Sequence, residues 1–370
     1  MIPARILATG LHTPEARISN EELVEAYNAW VERWNEAHPD DPKDPSSAAF
    51  IEKASGIKSR YVLDKAGCLD VDRMRPRLEE RPDGALSIMA EVGVRAARDA
   101  MERAGLGASD LDAVICAASN MQRQYPAMAV EIQDALGIDG FAFDMNVACA
   151  SAAFGIQTMV GLLSTGARRV LMVNPEICTA HINFRDRDGH FIFGDVGTAV
   201  IVGHRDDEAA GDRPFDVIDT RLKTQFSNNI RNNFGFLDPA TDSVIDWDDP
   251  NTDKLFKQRG RAVFKEVVPL VGGMLSEHLA DNGLGAGDVK RMWLHQANLS
   301  MNQLIAKKVL GRDATREEAP VVLDEYANTS SAGSIIAFHL HRDGLDAGDV
   351  GIVSGFGAGY SAGSILVRAA

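Results

Sequence analysis

The chain has 370 residues, enough for two ordinary domains or one large duplicated fold. It carries 38 Lys and Arg against 53 Asp and Glu, and a net charge of −15 argues against nucleic acid as the main partner. No apolar run reaches the length of about 18 residues that a membrane span needs, and the four cysteines show neither a CxxC pair nor metal-ligand spacing.

The opening MIPARILATGLHTP has the pattern of a strand and lacks the basic and apolar regions of a signal peptide, so a cytoplasmic enzyme with free thiols is expected. DDPKDP (residues 40–45) and EERPD (79–83) are charged, contain proline and read as surface loops. An amphipathic helix is predicted over 85–104, followed by a GLGA turn and a strand ending near Ser119. A strand over 140–147 leads to Cys149, and a helix begins at 150 and stops before Gly166. A second long helix is predicted over 261–281, again followed by a GLGA turn and an apolar strand that ends at His295. VVLDEYANTSSAGSIIAFHL (321–340) reads as strand, Asn328, helix.

These elements repeat. GLGASDLDAVICAASN (105–120) aligns without a gap with GLGAGDVKRMWLHQAN (283–298), an offset of 178 from Gly105 to Gly283. Cys149 and Asn328 occupy equivalent strand-to-helix points at an offset of 179, and FGDVGTAVIVG (193–203) echoes FGAGYSAGSILV (356–367). Ordered echoes predict a duplicated α/β unit with mixed, mainly parallel sheets, divided into halves of about 1–205 and 206–370. Such sheets gather their chemistry at the carboxyl ends of strands.

Cys149 lies in DMNVACASAAFG (144–155), where small neighbours let backbone or ligand approach and a helix N-terminus favours a thiolate. On local sequence alone a buried cysteine in an Ala-rich helix is the competing reading. His295 ends a strand and opens HQAN. His12, His38, His204, His278, His339 and His341 read as solvated, while His181 and His190 flank NFRDRDG and could line an entrance. Cys149, His295 and Asn328 share one strand-end logic and form the candidate constellation.

VACASA around Cys149, HQAN at His295, ANTSSAG at Asn328 and FGAG at Phe356 resemble the β-ketoacyl-acyl-carrier-protein synthase III family of the thiolase-like superfamily. The resemblance runs over almost the whole chain. It implies a five-layered αβαβα duplication, a homodimer, and condensation of an acyl-CoA primer with malonyl-acyl carrier protein in fatty acid biosynthesis, with no cofactor and no metal. By resemblance, Cys149 takes the acyl group, and His295 with Asn328 stabilises the enolate left by decarboxylation. The Cys149 N–H and one from the Gly357–Ala358 turn form the oxyanion hole. Phe50, Arg187, Phe264 and Asn298 match positions near pantetheine and nucleotide. Tyr125 matches a segment that crosses the dimer and borders the partner's acyl tunnel. KLFKQRGRAVFK (254–265) adds a basic run to an acidic protein, and Lys265, Lys307 and Lys308 resemble carrier-docking positions.

The chain departs from the family in places. Phe50 stands where relatives stack a tryptophan on adenine, Ala54 replaces an arginine, Ser300 follows HQANL where a basic residue is frequent, and Ala358 stands where many relatives have glycine. Extra N-terminal sequence (29–45 and 67–84, with Trp30 and Trp34) resembles a longer proteobacterial branch with medium-chain primers, near octanoyl. Chalcone-synthase-like and other Cys-His-Asn condensing enzymes of secondary metabolism are the alternative. A papain-like hydrolase, the alternative from another class, is opposed by the duplication. A degradative thiolase needs a second cysteine near the C-terminal Gly-rich turn, and none follows Cys178.

Overall fold

Helix starts follow the local sequence. Ser19 caps helix α1 (Asn20–Ala37) in a capping box with Glu22, Ser47 caps α2 (Ala48–Ser55), and Ser87 caps α3 (Ile88–Ala104). Met128–Leu136 forms α4, Ser151–Leu163 α5, Gly260–Asp281 α6, Leu299–Leu310 α7 and Ala332–Leu340 α8. The computed structural model describes residues 3–207, 211, 213–241, 246–247 and 249–370.

Nine described strands join in one sheet: β1 (Ala4–His12), β2 (Ala113–Ala117), β3 (Phe141–Met145), β4 (Arg169–Ile177), β5 (Asp195–His204), β6 (Phe215–Ser227), β7 (Val289–Leu294), β8 (Val350–Gly357) and β9 (Gly359–Ala369). Their order is β7-β8-β9-β6-β1-β5-β4-β2-β3. The sheet has two leaves, joined where Ala4–Ile6 of β1 pair with residues 215–217 of β6. Helices α3 and α4 cover the outer face of the N-terminal leaf, and α6 and α7 that of the C-terminal leaf. Between the leaves lie α5 and α8, which touch strands of both. These two helices are apolar nearly all round, as a helix packed on both sides must be. The five layers α-β-α-β-α are the thiolase-like architecture.

The expected parallel majority is not found. Of the eight pairings in the described sheet, β2–β3, β2–β4 and β7–β8 are parallel and the other five antiparallel. Parallel neighbours need a crossover, which α4, α5, and α7 with α8 supply. No such crossover separates β4 from β5, and β8 turns into β9 through Ala358 alone, so both pairs run antiparallel. The run before Asn328 is also no strand. It is a short helix, Leu323–Tyr326, and Asn328 meets Phe193 in an isolated parallel bridge.

The two GLGA echoes take one form. Gly105 and Gly283 are left-handed, with φ of 65° and 69°. The Asp110 and Asp288 carboxylates each accept a backbone N–H three residues back, at 2.8 and 2.7 Å, ahead of β2 and β7. Helix α1 packs Leu23, Tyr27, Trp30 and Val31 into a separate core with Phe184, Phe191 and Phe193 from the β4–β5 connection.

Candidate active site

Cys149 lies on a tight 3-10 turn, Ala148–Ala150, between β3 and α5. Ala148 has φ of 47°, a costly value for a residue with a side chain. Side chains brace the turn. The Val147 N–H donates to Ser151 Oγ at 2.8 Å, and the Ala148 N–H donates to Asn146 Oδ1 at 3.0 Å. Gly357 faces the cysteine, and a Cβ there would come within 2.7 Å of Cys149 Cβ and 3.0 Å of Sγ. Glycine is therefore required for the approach of this turn, rather than for its φ.

Burial pushes the Cys149 thiol up to about 11. The Ser330 hydroxyl, 3.5 Å from Sγ, pulls it down, the Glu176 carboxylate raises it, and the Cys149 and Ala358 N–H groups lower it. The helix N-terminus was expected to favour a thiolate; desolvation outweighs it, because the sulfur sits at the cavity floor against Gly357 and Ser330.

His295 follows β7 and is 2 % exposed. Its ring stands edge-on to Phe356, with centroids 5.3 Å apart, and Nδ1 has no hydrogen-bond partner among the described residues. Burial lowers its pKa to about 3, so the imidazole is neutral at ordinary pH. Asn328 is held by its backbone, donating to Ile192 O at 2.9 Å and accepting from the Gly194 N–H at 3.1 Å. Its Oδ1 accepts the Ser330 N–H at 2.8 Å, which leaves the amide N–H groups for a ligand. Ala327 and Ser330 on either side have φ of 56° and 49°.

Cys149, His295, Asn328, Phe356 and Gly357 line one cavity of ≈ 770 Å³. Its outer walls include Phe50, Ala54, Phe191, Phe193, Phe256, Phe264, Lys265, Asn298 and Ser300. A thiol and two uncharged donors in an apolar cavity can hold an acyl thioester and stabilise a developing oxyanion without a cation. Three further residues serve this geometry. Ser330 touches the sulfur and fixes Asn328. Gln296 is fully buried, and its Oε1 accepts from the Val322 and Leu323 N–H groups at 3.0 and 3.2 Å, setting the approach to Asn328. Glu176 is a carboxylate inside the apolar strand β4, and its place in RVLMVNPEI was the signal available to find it. Sequence reading passed over all three because their roles are contacts between segments distant in the chain.

Two family descriptions match: 3-Oxoacyl-[acyl-carrier-protein (ACP)] synthase III over residues 143–224, and 3-Oxoacyl-[acyl-carrier-protein (ACP)] synthase III C terminal over 279–369. A beta-ketoacyl-[acyl-carrier-protein] synthase III of Acidiphilium cryptum is 32% identical, with 97% of each chain covered. The chain belongs to the β-ketoacyl-acyl-carrier-protein synthase III family. It is an acyltransferase of the condensing type. A beta-ketodecanoyl-[acyl-carrier-protein] synthase of Pseudomonas aeruginosa is 57% identical, covering 93% of this chain and 99% of the relative. The crystal structure of the 3-oxoacyl-[acyl-carrier-protein] synthase III of Aquifex aeolicus shares the fold, with a TM-score of 0.77, 22% identity and 99% of each chain covered.

In this synthase Arg187 lies over the ring of Phe50, a cavity-lining residue, 4.2 Å from its centroid. Asn298 caps α7 and donates to Ala54 O at 2.8 Å, tying α7 to α2. Lys265, Lys307 and Lys308 are exposed, and Lys307 pairs with Asp313 at 2.9 Å. Lys254, part of the basic run, is taken up by Asp238 at 2.7 Å. Tyr125 does not line this cavity; it is 85% exposed, close to the edge strand β3. Neither His181 nor His190 is among the residues that line the cavity: His181 is half-buried with its ring against Phe193 and Phe256, and His190 is buried and stacks on Tyr27 of α1 at 4.5 Å. His278 is not solvated either: it bonds Ser364 and Asp219 beneath α6.

Proposed function

We propose that this synthase condenses a medium-chain acyl-CoA primer, near octanoyl, with malonyl-acyl carrier protein in fatty acid biosynthesis. The observation that carries the chain length is the 57% identical relative named for a β-ketodecanoyl product. An octanoyl primer extended by one two-carbon unit gives that product. Cys149 Sγ attacks the primer thioester, the carbon–sulfur bond to CoA breaks, and CoA leaves with the thiol proton. Malonyl thioester then loses CO2, and its enolate oxygen is held by His295 and the Asn328 amide. The enolate carbon attacks the acyl carbonyl, whose oxyanion is held by the Cys149 and Ala358 N–H groups beside Gly357, and Cys149 leaves as thiolate. A neutral His295 suits this role, since it donates without first losing a charge.

Phe50 with Arg187 is the nucleotide clamp of this reading, and Phe264 and Asn298 flank the pantetheine path. Lys265, Lys307 and Lys308 dock the acidic carrier protein. The unpaired edge strand β3, with exposed Phe141 and nearby Tyr125, supports a homodimer in which Tyr125 borders the partner's acyl tunnel. The repeated GLGA turns support a duplication with halves 1–205 and 206–370. The reaction needs its two substrates and no cofactor. No described helix is long and apolar enough to cross a membrane, and a cytoplasmic site of action fits a carrier-protein partner.

Intact-mass detection of acyl transfer from acetyl-, butyryl-, octanoyl- and decanoyl-CoA tests the reading, with label expected on Cys149. A kcat/KM maximum is expected near octanoyl, and a maximum at acetyl would refute the medium-chain assignment. Tyr125→Ala should shift the profile; an unchanged profile clears Tyr125 of any part in the length limit.

A further inference from the structure

We propose that the buried carboxylate of Glu176 positions both halves of the reacting centre, holding the Cys149 turn through one arm and the Asn328 turn through the other. This rests on the catalytic reading above. Glu176 ends β4 in the N-terminal leaf and is 1 % exposed. Four donors meet its two oxygens. The Ser119 N–H donates to Oε1 at 3.0 Å and the Ser119 hydroxyl to Oε2 at 2.5 Å. The Ser331 N–H donates to Oε1 at 3.1 Å, and the Ser331 hydroxyl donates to the same oxygen. Cys178 Sγ lies 3.7 Å from Oε2.

Each serine leads to one reacting group. Ser119 O accepts from Asn146 Nδ2 at 2.9 Å, and Asn146 Oδ1 accepts the N–H of Ala148, next to Cys149. Ser331 adjoins Ser330, whose N–H holds Asn328 Oδ1 and whose hydroxyl reaches Cys149 Sγ. Both arms end on backbone with positive φ, at Ala148 and Ser330. Such conformations persist only where the surroundings over-determine them. Among the described residues no cation pairs with Glu176, and all of its ligands are donors, so an amide in its place would turn N–H against N–H.

Isosteric Glu176→Gln tests the proposal. Both self-acylation from octanoyl-CoA and decarboxylation of malonyl-carrier protein should fall on the order of 10²-fold, the cost of small misplacements in a reacting geometry. KM for the primer should stay within about twofold, since ground-state binding is untouched. The carboxylate is also the charge that acts on Cys149, with His295 beside it neutral, so alkylation of Cys149 should begin at lower pH in Glu176→Gln. Lower activity with a more readily ionised thiol separates positioning from general damage. Ser119→Ala should slow acylation more than decarboxylation and Ser331→Ala decarboxylation more than acylation, a pair that decides the matter even if Glu176→Gln does not fold. Near wild-type rates in Glu176→Gln, or equal effects of each serine on both half-reactions, would overturn the proposal. If the wild-type protein takes no acyl group on Cys149, the catalytic reading fails instead.

Discussion

The proposed attack on a thioester requires Cys149 to ionise, yet its surroundings hold the thiol protonated up to about 11. Below that pH the thiolate fraction rises about tenfold per pH unit. Alkylation of Cys149 by iodoacetamide, read by intact mass, should therefore still climb between about pH 8 and 10, where an ordinary cysteine of pKa about 8.5 levels off. A plateau by pH 8 would mean that the Ser330 hydroxyl and the two N–H groups outweigh burial. The proposed roles also separate by half-reaction. Cys149→Ala should abolish acyl transfer and leave malonyl decarboxylation, while Asn328→Ala should keep self-acylation and lose decarboxylation. Loss of an enolate donor should cost on the order of 10²–10³ in rate. Cys149→Ala that still condensed at the wild-type rate would exclude it as nucleophile.

At the scale of elements, backbone strain gathers at the cavity and exposed lysines on the helices beside it. Of the four described non-glycine residues with positive φ, Ala148, Ala327 and Ser330 belong to the two turns that meet at the cavity, and Met74 alone lies elsewhere. The apolar helices α5 and α8 press both turns together from between the leaves, which gives that strain its support. Helices α6 and α7 carry Lys265, Lys307 and Lys308 on their exposed faces. Charge reversal at Lys265 with Lys307 should raise the apparent KM for malonyl-carrier protein and leave self-acylation by acyl-CoA little changed. Rim charges act mainly on association, so the effect should shrink as salt rises. A KM indifferent to both mutation and salt would remove these lysines from the docking face.

For the whole molecule, the buried histidines set the response to acid. His181, His190 and His295 fall to about 4, 3 and 3. An imidazole lowered in the folded chain takes its proton first in the unfolded chain, from about 6.5 downward. Stability is thus lost as pH falls. Between pH 6.5 and 5 each site costs about 2 kcal/mol. Asp195 is raised to about 6, and Glu176 and Asp186 are also raised by burial, so these carboxylates act in the opposite sense. His339, lowered to about 4 by burial, adds to the three histidines, so Tm should fall from pH 6.5 to 5. A flat Tm across that interval would show these rings to be solvated in the folded protein.

Much of this was legible in the sequence because it is written locally. Cys149, His295 and Asn328 each stand in a short motif at an element boundary, and the GLGA echoes repeat with their glycine φ values and aspartate bonds intact. Periodicity placed α3, α5 and α6 close to their observed ends. What it could not decide depends on residues far apart in the chain. The antiparallel majority follows from which connections lack a crossover helix, and strand patterning is blind to that. The short helix before Asn328 is set by Gln296 binding Val322 and Leu323 from another strand end. His190 and His278 carry polar side chains, and only the covering by α1 and the packing of α6 on the sheet make them interior. Burial likewise reverses the expected effect of the helix N-terminus on Cys149. Glu176 became visible last, because its four donors come from Ser119 and Ser331, one in each half, and only folding brings them to one carboxylate.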